Sequence, residues 1–210
     1  MQGLVKGYKE LDIPFKLLSK QENAKGLAIM LPGAGYTTQS PLFHFAAGIF
    51  VNKSFDVLQV NYQYNSDVYK DWSMDELVEA INYDVRAVLE HVLRESQYES
   101  FYVIGKSLGT IAMSEALNLL PSKAAKAVWL TPLIQRDDVY NAMLMSENQG
   151  LCYIGDQDPC YDQEKFQQIC CNENIQSTLI QGVEHSLQYA DDPVQSIDVL
   201  KRVISEMAHF

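Results

Sequence analysis

From Gly26 onward the chain alternates between short unbroken apolar runs and longer stretches where apolar residues return every three or four positions. The runs are Gly26–Leu31, Phe55–Val60, Phe101–Ile104, Ala127–Leu130 and Leu151–Ile154, with a sixth, Thr178–Ile180, flanked by polar residues. An apolar run without polar alternation is the mark of a strand covered on both faces. Between the runs, Asp75 to Glu95 carries Leu77, Ile81, Val85, Val88, Leu89 and Val92 at helical spacing, and Ser107 to Leu120 repeats the pattern before Pro121. Shorter helices are predicted over Pro41–Asn52, Asp137–Ser146, Gln163–Cys171 and Pro193–Met207.

Strand and helix thus alternate along nearly the whole chain, which predicts a parallel sheet with helices on both faces. The segment Leu4 to Leu18 differs: its short apolar stretches around Pro14 predict an N-terminal strand or hairpin at a sheet edge, where a proline is tolerated. No linker, low-complexity tract or repeat divides the 210 residues, so residues 1–210 read as one domain.

Composition narrows the partners. The formal net charge of −11 disfavours nucleic acid and anionic membranes as partners. The N-terminus lacks a basic region followed by an apolar core, and no stretch is long and apolar enough to span a bilayer, so a cytoplasmic location is expected. Four cysteines, Cys152, Cys160, Cys170 and Cys171, form no zinc or CxxC pattern and read as reduced thiols, with a Cys160–Cys170 disulfide as the second reading. The oligomeric state is not encoded in any recognisable pattern.

Function in such a sheet gathers at the carboxyl ends of the strands. The third run ends in Gly105-Lys106-Ser107-Leu108-Gly109, a G-x-S-x-G sequence. A random chain of this length contains that pattern roughly once in fifteen, so its context is what matters. Here it follows an apolar strand and opens a helix, the setting in which a serine is held exposed on a tight turn. Ser107 is therefore the candidate nucleophile, with the Leu108 amide facing the reaction centre.

A serine hydroxyl needs a base to take its proton. His44 and His91 fall within helices and His209 lies at the frayed C-terminus, whereas His185 directly follows the last strand. The base in turn needs a carboxylate. Both Asp156 and Asp158 follow the fifth run; Asp158 is preferred because an acid a few residues past the strand can fold back toward a neighbouring loop, leaving Asp156 to stabilise the turn. A second oxyanion donor is expected in Pro32-Gly33-Ala34-Gly35-Tyr36, with the Ala34 N–H first and Gly35 or Tyr36 as fallbacks. No GKS or GKT follows these glycines, which disfavours a phosphate loop, and no HExxH or H-x-H spacing points to a metal.

Together these segments resemble the α/β-hydrolase superfamily: Leu31-Pro32-Gly33-Ala34-Gly35, the elbow at Ser107, Gly155-Asp156-Gln157-Asp158-Pro159, and Gly182-Val183-Glu184-His185. The third segment resembles the family's G-x-x-D loop and supports Asp158 over Asp156. The resemblance covers about residues 24 to 207 and implies a three-layer αβα sandwich on a mostly parallel sheet of about seven or eight strands. Two departures stand out. Pro32 occupies a place where the family often has His, and Thr131 to Gly150 leaves room for one helix and no cap.

The expected reaction is cleavage of a small ester or thioester through an acyl-enzyme on Ser107, without metal or cofactor. An amidase or peptidase, or a non-catalytic binder on the same fold, are the alternatives. Tyr36, Phe43, Tyr62 and Tyr64 are candidate pocket walls. Lys106 is a further candidate, able to attract an anionic substrate if it is not simply a solvated neighbour.

Overall fold

The computed structural model describes residues 1–94, 96–121 and 124–210. Eight strands form one sheet: β1 (Gln2–Lys6), β2 (Asp12–Leu18), β3 (Gly26–Leu31), β4 (Phe55–Val60), β5 (Ser100–Lys106), β6 (Ala125–Leu130), β7 (Gly150–Gly155) and β8 (Ile175–Ile180). Their spatial order is β1-β2-β4-β3-β5-β6-β7-β8. Strands β3 to β8 pair in parallel, and the N-terminal hairpin adds antiparallel to β4.

Among the described residues six α-helices cover the sheet: α1 (Pro41–Asn52), α2 (Met74–Leu93), α3 (Gly109–Leu119), α4 (Asp137–Leu144), α5 (Gln163–Ile169) and α6 (Pro193–His209). Adjacent residues in a buried strand face opposite layers. Thus Leu27, Ile29 and Leu31 of β3 join the core with α2–α5, while Ala28 and Met30 pack with α1 and α6. Local chemistry starts the helices. Ser73, Asp162 and Asp192 cap α2, α5 and α6 by accepting the amides of Glu76, Lys165 and Gln195.

Several strand and helix ends lie one to three residues from the sequence reading. Strand β8 begins at Ile175, three residues early, because Gln176 and Ser177 are carried into register by pairing with Leu151 and Cys152. The expected helix over Asp75–Glu95 is α2, and Glu95 lies outside the described residues.

The N-terminal hairpin lies at one edge of the sheet, as expected, with Pro14 on β2, the second strand from that edge. The proline fits because β4 pairing stops at Phe15↔Val60, so no ladder bond is asked of its missing N–H. Its carbonyl accepts the Asn61 N–H at 2.8 Å.

The chain leaves β3 for β4 on one side and reaches β5 on the other. Loops after β3 and β5 therefore diverge, opening a crevice at the carboxyl end of the sheet. Between β6 and β7 the chain carries α4 and no cap domain.

Candidate active site

The crevice is built first by the turn from β5 to α3. Ser107 sits there with φ of 53°, a left-handed conformation that costs energy for a side chain with a Cβ. Neighbouring packing holds it. A Cβ on Gly109 would lie 1.9 Å from the Leu31 carbonyl oxygen, and one on Gly105 would lie 2.4 Å from Met113 Sδ. Glycine at both positions lets strand, turn and helix pass at this distance. The Thr110 amide and hydroxyl both donate to the Ser107 carbonyl, at 2.8 and 2.6 Å, fixing the first turn of α3.

His185 lies on the loop after β8, with Nε2 2.8 Å from Ser107 Oγ. Its Nδ1 is 2.8 and 2.9 Å from the two carboxylate oxygens of Asp158. In the tautomer with the proton on Nδ1, the imidazole donates to Asp158 and accepts from the serine hydroxyl. Asp158 is buried, and its Oδ1 also accepts the Cys160 amide at 2.8 Å, which fixes the carboxylate. One third of the His185 side chain is exposed, so the imidazole faces both Asp158 and the crevice.

Asp156, the other acid of this loop, points elsewhere. Its Oδ1 accepts the Gly182 N–H at 2.6 Å, tying the ends of β7 and β8 together. The hydrogen bonds therefore bring Asp158, and not Asp156, to His185.

Beside the serine, the loop after β3 folds back through a bond from the Gly33 amide to the Tyr36 carbonyl at 3.2 Å. It passes so close that a Cβ on Gly33 would lie 3.1 Å from Ser107 Cβ. The Ala34 and Leu108 amides have no acceptor among the described residues. Leu108 is the N-cap residue of α3, where the helix dipole adds positive potential. An open hollow of about 600 Å³ sits over these groups, walled by Gly33, Ala34, Tyr36, Gln157 and Ser186.

Lys106 lines the same hollow yet is 1% exposed, which overturns the picture of a solvated neighbour. Its ammonium donates to Thr131 Oγ1 at 2.8 Å and to the His185 carbonyl at 2.7 Å, and lies 4.9 Å from the centre of the Tyr36 ring. One cation thus joins the loops after β3, β5, β6 and β8. Burial pushes its pKa down to about 8, opposed by attraction to the Asp158 carboxylate. Its position next to the serine is the signal in the sequence, whereas nothing in the sequence marks Thr131, at φ of 43°.

Tyr62 and Tyr64 do not line this hollow, which corrects their assignment to its wall. Both are buried: Tyr62 donates to the Pro32 carbonyl at 3.0 Å, and Tyr64 donates to Asp84 Oδ2 at 2.7 Å. Burial raises both phenol pKa values well above the usual range. Phe43 is likewise a core residue, behind Tyr36. Of the four aromatic candidates, Tyr36 alone reaches the hollow.

All four cysteines are free thiols, so the Cys160–Cys170 disulfide is not formed. Asp158, Cys160 and His185 bring potential metal donors within 4.8 Å of one another. Their chemistry points to a proton-transfer pair instead. The acid and the imidazole are spent on each other, and burial pushes the Cys160 thiol up to about 11, keeping it protonated and a poor ligand.

Comparison with known proteins agrees with this architecture. The model of the alpha/beta hydrolase domain matches residues 24–210, and the chain belongs to that family. It is similar to an alpha-beta serine hydrolase homologue from Coxiella burnetii, with a TM-score of 0.71 at 13% identity, covering 100% of this chain and 96% of that one. It is also similar to a Xanthomonas campestris protein described as a serine hydrolase without lid (TM-score 0.68, 16% identity, 100% and 92% covered). A third similar structure is the Pyrococcus furiosus esterase Pf2001 (TM-score 0.70, 13% identity, 100% and 90% covered). No curated protein matches. Among the described residues, no helix is long and apolar enough to cross a membrane.

Proposed function

We propose that the protein is a serine hydrolase that cleaves a small carboxylic ester or thioester, with Ser107, His185 and Asp158 as its catalytic triad. The observation that carries this reading is the single imidazole bonded at 2.8 Å to the serine on one side and at 2.8 Å to the carboxylate on the other. The similar lidless serine hydrolase and the Pyrococcus esterase support the same reaction class. In this reading residues 1–210 act as one domain, since the N-terminal hairpin extends the sheet that carries the site.

His185 Nε2 takes the Ser107 proton as Oγ attacks the carbonyl carbon. The developing oxyanion accepts the Leu108 and Ala34 N–H groups, which are preorganised and free of competing acceptors. Asp158 holds the imidazole tautomer and stabilises the imidazolium. His185 then hands its proton to the leaving oxygen or sulfur, an acyl-enzyme remains, and water attacks it by the reverse path. No step requires a metal or cofactor. The substrate is a small acyl compound, with no role for nucleic acid or a membrane surface, and the expected location is the cytoplasm.

The test is labelling by a fluorophosphonate probe alongside hydrolysis of 4-nitrophenyl acetate. The wild type should label and turn over, and Ser107→Ala should lose labelling and at least about 10⁴-fold in kcat. Equal labelling of both proteins would place the nucleophile elsewhere. No labelling of the wild type would sink the hydrolase reading.

A further inference from the structure

Helices α1 and α6 lie side by side on one face of the sheet, and both start at its carboxyl end with a proline in the first turn, Pro41 and Pro193. Between these two starts lies a second, smaller hollow of about 180 Å³. It shares Tyr36 and Ser186 with the hollow over Ser107, so these two residues form the wall between them. We infer that this slot receives a short unbranched apolar chain of the substrate, about four to six carbons long. The inference rests on the hydrolase reading for its role in turnover.

The lining is apolar by construction. Leu42, Leu187 and Val199 are buried residues of its wall, and Leu200 and Ile197 complete it from α6. The hydroxyls that face it are already engaged. Tyr36 Oη accepts the Leu42 amide at 2.9 Å, Ser186 Oγ donates to Glu184 Oε1 at 2.7 Å, and Ser196 Oγ accepts the Tyr189 amide at 2.9 Å while donating to the Asp192 carbonyl at 2.7 Å. A hollow whose hydroxyl oxygens are each already hydrogen-bonded within the protein offers an entering group apolar contact above all.

Backbone strain lies at the same place. Leu187, two residues after the base, has φ of 61°, an unfavourable conformation for a branched side chain. The turn is held by the Leu187 amide on the Glu184 carbonyl at 2.9 Å and the Glu184 amide on the Gln188 carbonyl at 3.0 Å. This conformation brings a large side chain to the slot immediately after His185, so the loop that carries the base also shapes the slot.

Size sets the occupant. At about 30 Å³ per water-sized group, 180 Å³ holds roughly six such groups. That fits a butyl to hexyl chain, and carbons beyond the sixth lie outside the slot. Either the acyl or the alkoxy part of an ester could supply such a chain, and the two are separable by experiment.

Two ester series decide this: 4-nitrophenyl esters from acetate to decanoate, and acetate esters of alcohols from methanol to decanol. In one series kcat/KM should rise by up to about fourfold per methylene to about six carbons, then level off. The series that responds identifies which part of the ester enters. Ile197→Trp, at a position 61% exposed on α6, fills the mouth without disturbing the core and should flatten that rise. A flat profile in both series, or a rise unchanged by Ile197→Trp, overturns the slot.

Binding decides it independently of turnover. Hexan-1-ol titrated into Ser107→Ala should shift the methyl resonances of Leu187, Val199 and Leu200, and these shifts should be lost in the Ser107→Ala, Ile197→Trp double variant. Should no ester be hydrolysed, the hydrolase reading fails while this titration still settles the slot. Unmoved methyl resonances overturn it.

Discussion

Two buried carboxylates in this molecule have similar first neighbours and different prospects. Asp158 accepts from an imidazole and a backbone amide. Asp84 accepts from the Tyr64 hydroxyl at 2.7 Å and the Tyr8 amide at 2.6 Å. Among the described residues neither forms an ion pair with Lys or Arg. The difference lies one partner further out. His185 passes the influence of Asp158 to a serine beneath an open hollow, whereas Tyr64 is buried and Tyr8 contributes only its backbone amide. Asp84 pins the N-terminal hairpin to α2; Asp158 is connected to a surface where something can react. Burial of an acid is therefore no guide to function unless its partner also meets solvent.

Substitution should separate the two sites sharply. Asp158→Asn should lower kcat about 10⁴-fold with little change in melting temperature, because the imidazole loses its tautomer control. Asp156→Asn keeps an acceptor for the Gly182 amide and should cost no more than a few-fold. Comparable losses in both would erase the distinction between the two acids of that loop.

Lys106→Met should have an intermediate effect, about ten- to a hundredfold in kcat, by loosening the His185 loop without touching the reacting atoms. Its pH signature separates positioning from bulk. Because the folded-state pKa is near 8 against an ordinary 10.5, the folded chain binds fewer protons than the unfolded chain between those values. Wild-type stability relative to Lys106→Met should therefore rise from pH 8 to 10.5 in thermal melts. A difference that is constant with pH would remove the buried ammonium from the account.

Asp84→Asn should have the smallest effect on catalysis, within twofold in kcat. It should cost about 1–3 kcal/mol of stability, since an amide cannot accept from both donors. Burial raises the Asp84 pKa, so the carboxyl favours the fold most when protonated, and that contribution is lost as pH rises through its folded-state pKa. The melting-temperature gap between wild type and Asp84→Asn should widen in favour of the wild type as pH falls from 7 toward 4.

The same contrast explains what could be read from sequence. The strands of the parallel sheet announce themselves as apolar runs, and turn chemistry at Ser107, Asp158 and His185 places these residues at one sheet edge without knowledge of packing. Side-chain direction in a loop is another matter. Tyr62 and Tyr64 follow β4 in the same sequence pattern as pocket-lining aromatics, and it is hydrogen bonding to Pro32 and Asp84 that holds them inward. Lys106 reads as a surface residue because lysine is seldom buried; its partners, Thr131 and the His185 carbonyl, are 25 and 79 residues away. Pro14 marks the N-terminal hairpin as an edge element, but which of its two strands pairs with β4 is not legible in the sequence.

A single helix between β6 and β7 also has a kinetic consequence. In hydrolases with a hinged cover, each turnover includes opening and closing steps on the microsecond to millisecond scale, and these can limit the rate. Among the described residues no such cover stands over Ser107, so the proposed reaction has no step of that kind to gate arrival. Encounter is governed by long-range charge, and the formal −11 of the chain repels anions. Added salt should therefore speed capture of a negatively charged ester and leave a neutral one unaffected.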